Sequence, residues 1–322
     1  MSVVEKTMLK ESFEIFEIGG GNGTLAVDVM GFLREYHPEV YARCRYNIIE
    51  ISPRLAERQA RTRTLSRHPA DKILIHNKSI FEWTQPVADP CFILATEVLD
   101  NLAHDKVTYD DEGKPWVCFV CEDPAGRMWE EYGRLEDRLV TRYLSAKANA
   151  LNWPDLTLPA GSQSGGLLSR LKDRFAPLPR DHPKRGEFIP TNAFLLLESL
   201  GSLFPQHCLI LADFSELPDA IVGRNAPVVQ TRLNGKTVAC STYMLPKGEY
   251  DIFFPTDFDL LAKIYHEQHR KWNGGKKRDV DVRVMTQGAF MTTYADLSKT
   301  RTRGGYNPMV DEYRNMKFFL TV

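Results

Sequence analysis

The fold is decided by the stretch Phe13-Glu14-Ile15-Phe16-Glu17-Ile18-Gly19-Gly20-Gly21-Asn22-Gly23-Thr24-Leu25. Its apolar start, its glycines and its apolar continuation predict a buried strand, a tight turn and the beginning of a helix. The glycines let the backbone turn sharply and approach a ligand closely, and the following helix offers free N–H groups and the positive end of its dipole. We therefore expect a nucleotide-like cofactor at this turn, with an ordinary glycine-rich β–α turn as the alternative.

Two neighbours of the glycines narrow the choice of cofactor. Glu17 precedes the first glycine by two residues, and Thr24 stands where the dinucleotide fingerprint G-x-G-x-x-G has its third glycine. The pattern E-x-G-x-G-x-G resembles motif I of the class I methyltransferases, which bind S-adenosylmethionine, more than a turn that binds NAD. Glu17, Gly19, Gly21 and Gly23 are therefore predicted to bind S-adenosylmethionine.

A second strand supplies the next cofactor-binding candidate. Residues 45–51 form a β-branched run with Glu50 at its tip. A carboxylate there can accept hydrogen bonds from both hydroxyls of a ribose, as in nucleotide-binding βαβ units; a solvated strand-end glutamate is the alternative. Asn77 and Ser79 follow the third predicted strand, 72–76, and are the candidates for contact with adenine.

The wider pattern predicts an α/β fold. Strands alternate with helices from residue 13 to residue 109, which is typical of a Rossmann-like, mostly parallel sheet covered by helices on both faces. Two later apolar runs, 251–254 and 280–284, would bring the sheet to the seven strands of a class I methyltransferase. Residues 128–150 predict a charged helix, and Asn234-Gly235 predicts a tight hairpin.

One segment interrupts this series. Residues 110–190 begin with an acidic turn and end in a stretch rich in Pro, Gly and basic residues, and they predict an insertion that acts as an arm or lid, with a species-specific loop of no functional role as the alternative. The predicted domain organisation is therefore 1–109 and 191–322 as the two halves of one cofactor-binding domain, with 110–190 inserted between them.

The composition argues against several partners. With 41 basic and 42 acidic side chains in 322 residues, the chain has no net charge that would favour nucleic acid or an anionic membrane. It contains no apolar stretch of transmembrane length, and its first residues show neither a signal-peptide core nor a transit pattern.

The six cysteines lack the spacing of a disulfide framework, which is typical of a reducing compartment. Cys118 and Cys121 form a C-x-x-C in a strand-like run that points the sulfurs to opposite faces, so no metal site is predicted.

Five separate motifs resemble those of one family. In chain order they are the glycine turn, Ile49-Glu50-Ile51-Ser52-Pro53, Glu97-Val98-Leu99-Asp100-Asn101-Leu102, Asp257-Phe258 and Thr286-Gln287-Gly288-Ala289-Phe290. They are similar to the elements E-x-G-x-G-x-G-T-L, V-E-x-S-P, N-E-x-x-D-x-L-P, V-D-F and T-Q-G-x-F of the MidA-like (DUF185) S-adenosylmethionine-dependent methyltransferases. The resemblance covers most of the chain outside 110–190 and departs at Thr96, where the family usually has asparagine.

The resemblance implies a mitochondrial protein-arginine methyltransferase that is linked to assembly of respiratory complex I. The implied partner is a protein substrate, such as a complex I subunit. Family members carry a longer segment before motif I than the twelve residues that precede Phe13. That difference favours one alternative, a non-catalytic assembly factor that keeps the fold and the cofactor pocket. An NAD-dependent oxidoreductase is a second alternative, which Thr24 disfavours.

Two acids after the fourth predicted strand are the catalytic candidates. A guanidinium is always protonated in proteins, and two carboxylates can hold it, orient it and draw its positive charge to one side. Glu97 and Asp100 follow the strand at its carboxyl end, where ligands bind in open α/β sheets, and an offset of three in a helical turn would place both on one face. The alternatives are a helix-capping acid pair and, for Glu97, a place near the ammonium group of the cofactor.

Overall fold

The computed structural model describes residues 12–110, 112–153, 186–218, 221, 223–272, 274 and 280–321. The chain forms two compact units. The first unit consists of Met1–Leu99, Leu196–Phe214 and Gln268–Val322, and the second consists of Asp100–Leu195 and Ser215–Glu267. The second unit therefore takes in Ser215–Glu267 as well as the described part of 110–190. The predicted role of 110–190 as an arm or lid stays a prediction, and its segment 154–185 lies outside the described residues.

The first unit contains a seven-stranded sheet. With strands numbered along the whole chain, its members are β1 (Phe13–Ile18), β2 (Cys44–Ile49), β3 (Ile73–His76), β4 (Cys91–Thr96), β9 (His207–Phe214), β13 (Val282–Thr286) and β14 (Met316–Thr321). The order across the sheet is β13-β14-β9-β4-β1-β2-β3. Only β14 runs antiparallel to its neighbours, and all other pairings are parallel. The prediction of a seven-stranded, mostly parallel α/β sheet is confirmed.

The helices connect these strands. They are α1 (Thr24–Tyr36), α2 (Pro38–Arg43), α3 (Pro53–Leu65), α4 (Arg138–Leu151), α5 (Thr191–Leu203), α6 (Phe258–Trp272), α7 (Gln287–Tyr294) and α8 (Pro308–Asp311), with 3₁₀ turns at Ile80–Glu82 and Leu297–Lys299. Ser52 caps α3 as its sequence predicts, because its hydroxyl accepts from the Leu55 N–H at 3.3 Å and Pro53 follows it. Within the described part of the chain, no helix is long and apolar enough to cross a membrane.

The core of the first unit explains the apolar runs in its strands. Parallel strands buried on both faces need apolar residues at successive positions, and Ala26 and Met30 face the sheet because a spacing of four keeps them on one side of α1. One cluster of buried side chains joins α1 and α2 to the sheet: Phe13, Ile15, Ala26, Met30, Val40, Cys44, Tyr46, Ile48 and Ile73.

Gly201 on α5 provides a test of packing in this unit. A methyl group at Gly201 would lie 2.0 Å from Cε2 of the Trp272 indole, so this rigid ring or the helix would have to shift. Gly201→Ala is therefore expected to lower the free energy of unfolding by about 1–3 kcal/mol, measured by chemical denaturation. Gly31→Ala in α1 is the matched control, because its Cβ would meet nothing within 4 Å. It should raise stability by about 0.5–1 kcal/mol, and equal losses in both variants would contradict the packing argument.

The second unit contains two antiparallel sheets. One has the order β7-β6-β5-β8 and the other β11-β10-β12. The strands are β5 (Asp105–Tyr109), β6 (Pro115–Glu122), β7 (Met128–Arg134), β8 (Glu187–Ile189), β10 (Val228–Leu233), β11 (Lys236–Cys240) and β12 (Asp251–Phe253). The hairpin predicted at Asn234-Gly235 is confirmed, with φ of 50° and 78° at its two central residues. Lys147 on α4 and Glu187 on β8 form a buried ion pair.

Two expectations about secondary structure are wrong. Residues 251–253 form β12 in the three-stranded sheet, and β14 takes the remaining place in the seven-stranded sheet. Residues 128–134, expected to be helical, form β7 because they pair along their length with β6. The helix expected over 128–150 begins only at Arg138, where the Asp137 carboxylate accepts from the first free N–H groups.

Candidate functional site

The glycine turn between β1 and α1 has the shape that the sequence predicts. Gly19, Gly21 and Gly23 all adopt positive φ, at 71°, 51° and 76°. The Gly19 N–H donates to the Ile49 carbonyl at 3.0 Å, which fixes the turn against the end of β2. A Cβ at Gly21 would meet nothing within 4 Å, so this backbone is open to a ligand. Gly23 caps α1 without any side-chain hydrogen bond, which leaves the first N–H groups of the helix available to a ligand.

Glu17 supports the turn from the end of β1. Its side chain is buried, and the Tyr46 hydroxyl donates to its Oε2 at 3.0 Å. A Cβ at Gly20 would lie 3.1 Å from the same oxygen. Burial raises the pKa of the Glu17 carboxyl above its ordinary value, and the nearby Glu50 charge adds to that rise. A direct contact between Glu17 and the cofactor stays a prediction.

Glu50 follows β2 and is buried beside the turn. Its Oε1 accepts from the Ser52 N–H at 2.9 Å, and its Oε2 accepts from Nε2 of Gln59 at 3.1 Å. Each carboxylate oxygen can accept a second hydrogen bond. The carboxylate therefore has a fixed orientation, and its acceptance of hydrogen bonds from the two hydroxyls of a ribose stays a prediction.

Gln59 was not identified from the sequence, although it links the two parts of the site. Its Nε2 also donates to the Gly21 carbonyl at 2.9 Å, so one amide joins the glycine turn to Glu50. Gln59 is the buried residue of α3. A signal was present: the polar Gln59 follows Leu55 by four residues and so lies on the same side of the helix, where a second apolar residue is usual.

The adenine candidates have local partners. Asn77 Nδ2 donates to the Glu50 carbonyl at 2.8 Å and thus ties the loop after β3 to the end of β2. Ser79 and Glu82 form a capping box on the 3₁₀ turn, with the Ser79 N–H donating to Glu82 Oε2 at 2.8 Å. Contact of Asn77 and Ser79 with adenine stays a prediction.

Glu97 follows β4 at the carboxyl end of the sheet. The expected helical turn after β4 is absent, because Glu97 has a left-handed backbone with φ of 54° and the chain then bends. The bend is held by β9: the Glu97 N–H donates to the Ala212 carbonyl at 2.9 Å and the Leu99 N–H to Asp213 Oδ2 at 2.8 Å. A left-handed residue other than glycine costs about 1–2 kcal/mol and is enriched at functional sites. The Glu97 side chain is exposed.

Asp100 is the first residue of the second unit and is buried. Its Oδ1 accepts from Nδ2 of Asn101 at 2.7 Å, and its carbonyl accepts from the Phe254 N–H at 2.9 Å. The shared helical face predicted for Glu97 and Asp100 therefore does not form. Their catalytic roles stay a prediction.

The fold and the site together define a class. The sheet has seven strands, of which β14 is antiparallel and lies beside β9, and the glycine turn lies next to a strand-end acid. This is the arrangement of a Rossmann-like class I methyltransferase. The chain belongs to a family of S-adenosyl-L-methionine-dependent methyltransferases, whose model matches residues 1–274. The predicted resemblance to the MidA-like group is confirmed.

A curated relative has a more specific name. The "Protein arginine methyltransferase NDUFAF7 homolog, mitochondrial" of Schizosaccharomyces pombe is 26% identical to this chain over 264 residues. The match covers 78% of this chain and 55% of the relative. The chain therefore spans about half the length of this relative.

Two solved structures share the fold. A COG1565 superfamily member from Burkholderia thailandensis, bound to S-adenosyl-homocysteine, matches with a TM-score of 0.61 and 13% identity, over 99% of this chain and 73% of that chain. A native crystal structure of a COG1565 protein from the same organism matches with a TM-score of 0.59 and 14% identity, over 99% and 76% of the two chains. These similarities show the fold that surrounds the glycine turn.

Proposed function

We propose that this chain binds S-adenosylmethionine in its first unit and transfers a methyl group to arginine in a protein. The observation that supports it best is the junction of the open Gly21 backbone with the buried Glu50 carboxylate through one amide of Gln59. When bound, S-adenosylmethionine supplies a methyl group activated by the positive sulfur that carries it.

The residues of the first unit account for binding of such a cofactor. Glu50 accepts from ribose hydroxyls with a carboxylate already oriented by the Ser52 N–H and Gln59. Gly21 lets a bulky group approach the backbone, and the uncapped N–H groups at the start of α1 favour a negatively charged group such as a carboxylate. Because these groups are fixed before binding, little ordering free energy is lost when the cofactor enters.

Arginine as the acceptor is supported by the name of the Schizosaccharomyces pombe relative and by the chemistry after β4. Glu97 presents an exposed carboxylate on a strained backbone at the carboxyl end of the sheet, where α/β enzymes bind their ligands. A carboxylate there would attract and orient a guanidinium by charge-assisted hydrogen bonds.

The compartment follows the name of the same relative, and the substrate follows the resemblance to the MidA-like family. The name of that relative places it in mitochondria, and we extend that location to the present chain. We accordingly infer a protein substrate in mitochondria, in the first place a subunit of respiratory complex I.

One assay tests the whole proposal. The protein is incubated with S-adenosylmethionine labelled on its methyl group and with a mitochondrial protein extract, and the labelled protein is hydrolysed for amino-acid analysis. Label in methylarginine is the expected result. Label in lysine or in a small molecule would overturn the substrate class, and cofactor binding without any transfer would favour a non-catalytic assembly factor.

A further inference from the structure

The side-chain amide of Gln59 on α3 donates hydrogen bonds both to the glycine turn and to Glu50. One N–H of its amide donates to the Gly21 carbonyl at 2.9 Å, and Nε2 also donates to Glu50 Oε2 at 3.1 Å. Both partners can only accept, so the amide nitrogen must face them and the orientation of the amide is fixed. The contacts reach 38 and 9 residues along the sequence.

The carbonyl oxygen of the same amide lacks a hydrogen-bond donor among the described residues. This oxygen, Oε1 of Gln59, is buried. An acceptor buried without a donor costs free energy, and an apolar side chain of similar length would avoid that cost. The two donor contacts to Gly21 and Glu50 have to offset this cost, since an apolar side chain would leave both acceptors without that donor.

Helix α3 also contacts the turn beside Gln59. A Cβ at Gly23 would lie 3.2 Å from Cγ of Gln59 and 3.4 Å from its Cα, so the turn packs directly on this part of the helix. The neighbouring Arg58 donates to Asn22 Oδ1 at 2.9 Å. The glycine turn and the strand-end acid are thus held by one stretch of one helix.

We propose that Gln59 is a positioning residue, which orients the Glu50 carboxylate to accept from the two adjacent hydroxyls of a ribose and keeps it in register with the glycine turn. The Ser52 N–H holds Oε1 of Glu50 and Gln59 holds Oε2, so both oxygens are fixed. The inference rests on the proposed binding of S-adenosylmethionine, and it concerns recognition of the ribose.

The test compares two probes, S-adenosylhomocysteine and its 2′-deoxyadenosyl analogue, by calorimetry. Wild-type protein should prefer the ribose compound by about tenfold or more, since a buried polar site left unpaired discriminates strongly. Gln59→Met has similar length but no donor. It should weaken binding of S-adenosylhomocysteine by about 10- to 30-fold and that of the deoxy analogue by less than about threefold, so the preference collapses.

Gln59→Glu provides a second variant in case the methionine variant fails to fold. It keeps the shape of the side chain but sets a carboxylate against Glu50, and it should lose the ribose preference as well. Gln206→Met is the control, because Gln206 also donates to a backbone carbonyl, that of Ala88 at 2.7 Å, but is exposed. It should leave both affinities unchanged.

Two outcomes separate the inference from the function on which it depends. If wild-type protein prefers the ribose compound and the folded Gln59 variants keep that preference, the positioning role is overturned while cofactor binding stands. If folded wild-type protein binds neither probe, the proposed function fails first and the role of Gln59 fails with it. Circular dichroism of each variant establishes that it is folded.

Discussion

Glu50→Ala is expected to weaken binding of S-adenosylhomocysteine by about 2–4 kcal/mol, which is about 30- to 700-fold in Kd. The carboxylate is buried and held by the Ser52 N–H and by Gln59, so it can accept from both ribose hydroxyls without rearrangement. Removing it deletes charge-assisted hydrogen bonds of about 1.5–3 kcal/mol each and leaves the Gln59 amide without one of its acceptors. Calorimetric titration of each variant measures the change.

Two further proteins complete this experiment. Glu50→Gln keeps the shape and removes the charge, and it should lose less affinity than the alanine variant. Glu35→Ala is the control, because Glu35 is exposed near the carboxyl end of α1, whereas the glycine turn lies at its amino end. Equal affinity of Glu50→Ala and wild type would remove Glu50 from the cofactor site, and tighter binding of NAD than of S-adenosylhomocysteine would contradict the choice of cofactor.

Glu97→Gln should reduce methyl transfer about 30- to 150-fold, since losing one charge-assisted contact to the guanidinium costs about 2–3 kcal/mol in the transition state. Binding of S-adenosylhomocysteine should change little, because the contacts of Glu50, Gln59 and Gly21 remain in place. The measurement is the rate of labelled methyl incorporation into methylarginine, with cofactor affinity determined on the same preparation.

The left-handed backbone of Glu97 allows a control for a structural role. Glycine adopts φ of 54° without strain, and asparagine tolerates it, so Glu97→Gly and Glu97→Asn should keep or raise the stability of the protein. Both lack the carboxylate and should be as impaired in transfer as Glu97→Gln. Full activity in the glycine variant would show that the position serves the bend after β4 and not the substrate.

The strands that the sequence predicted correctly are those in which local pattern and burial agree. The first four strands of the sheet are short apolar runs flanked by helix caps or turns, and their parallel pairing requires apolar residues at successive positions. β7 is different, because its charged residues gain a strand conformation only by pairing with β6. The run at 251–254 was expected in the seven-stranded sheet and β14 was not predicted, because only its partners along a sheet decide where a short apolar run belongs.

The residues of the candidate site also differ in whether local sequence predicts them. The glycine turn and Glu50 are set by residues adjacent in sequence, so their pattern could be recognised. The sequence signal at Gln59 did not reveal its role, because that role consists of contacts to Gly21 and Glu50, which lie outside its helix. The backbone of Glu97 is fixed by its own hydrogen bond to Ala212 and by that of Leu99 to Asp213, both on β9, and no local signal predicts a left-handed glutamate.

The place of β14 in the sheet affects how the protein is made. β9 pairs with β4 on one side and with β14 on the other, but β14 is synthesised about a hundred residues after β9. At ribosomal rates of about 5–20 residues per second, the edge of β9 that pairs with β14 would stay unpaired for about 5–20 s after β9 is synthesised. Unpaired edges of this kind pair readily with other chains. The growing polypeptide is therefore expected to need a chaperone on the ribosome during that interval, and truncation before residue 316 should produce aggregates.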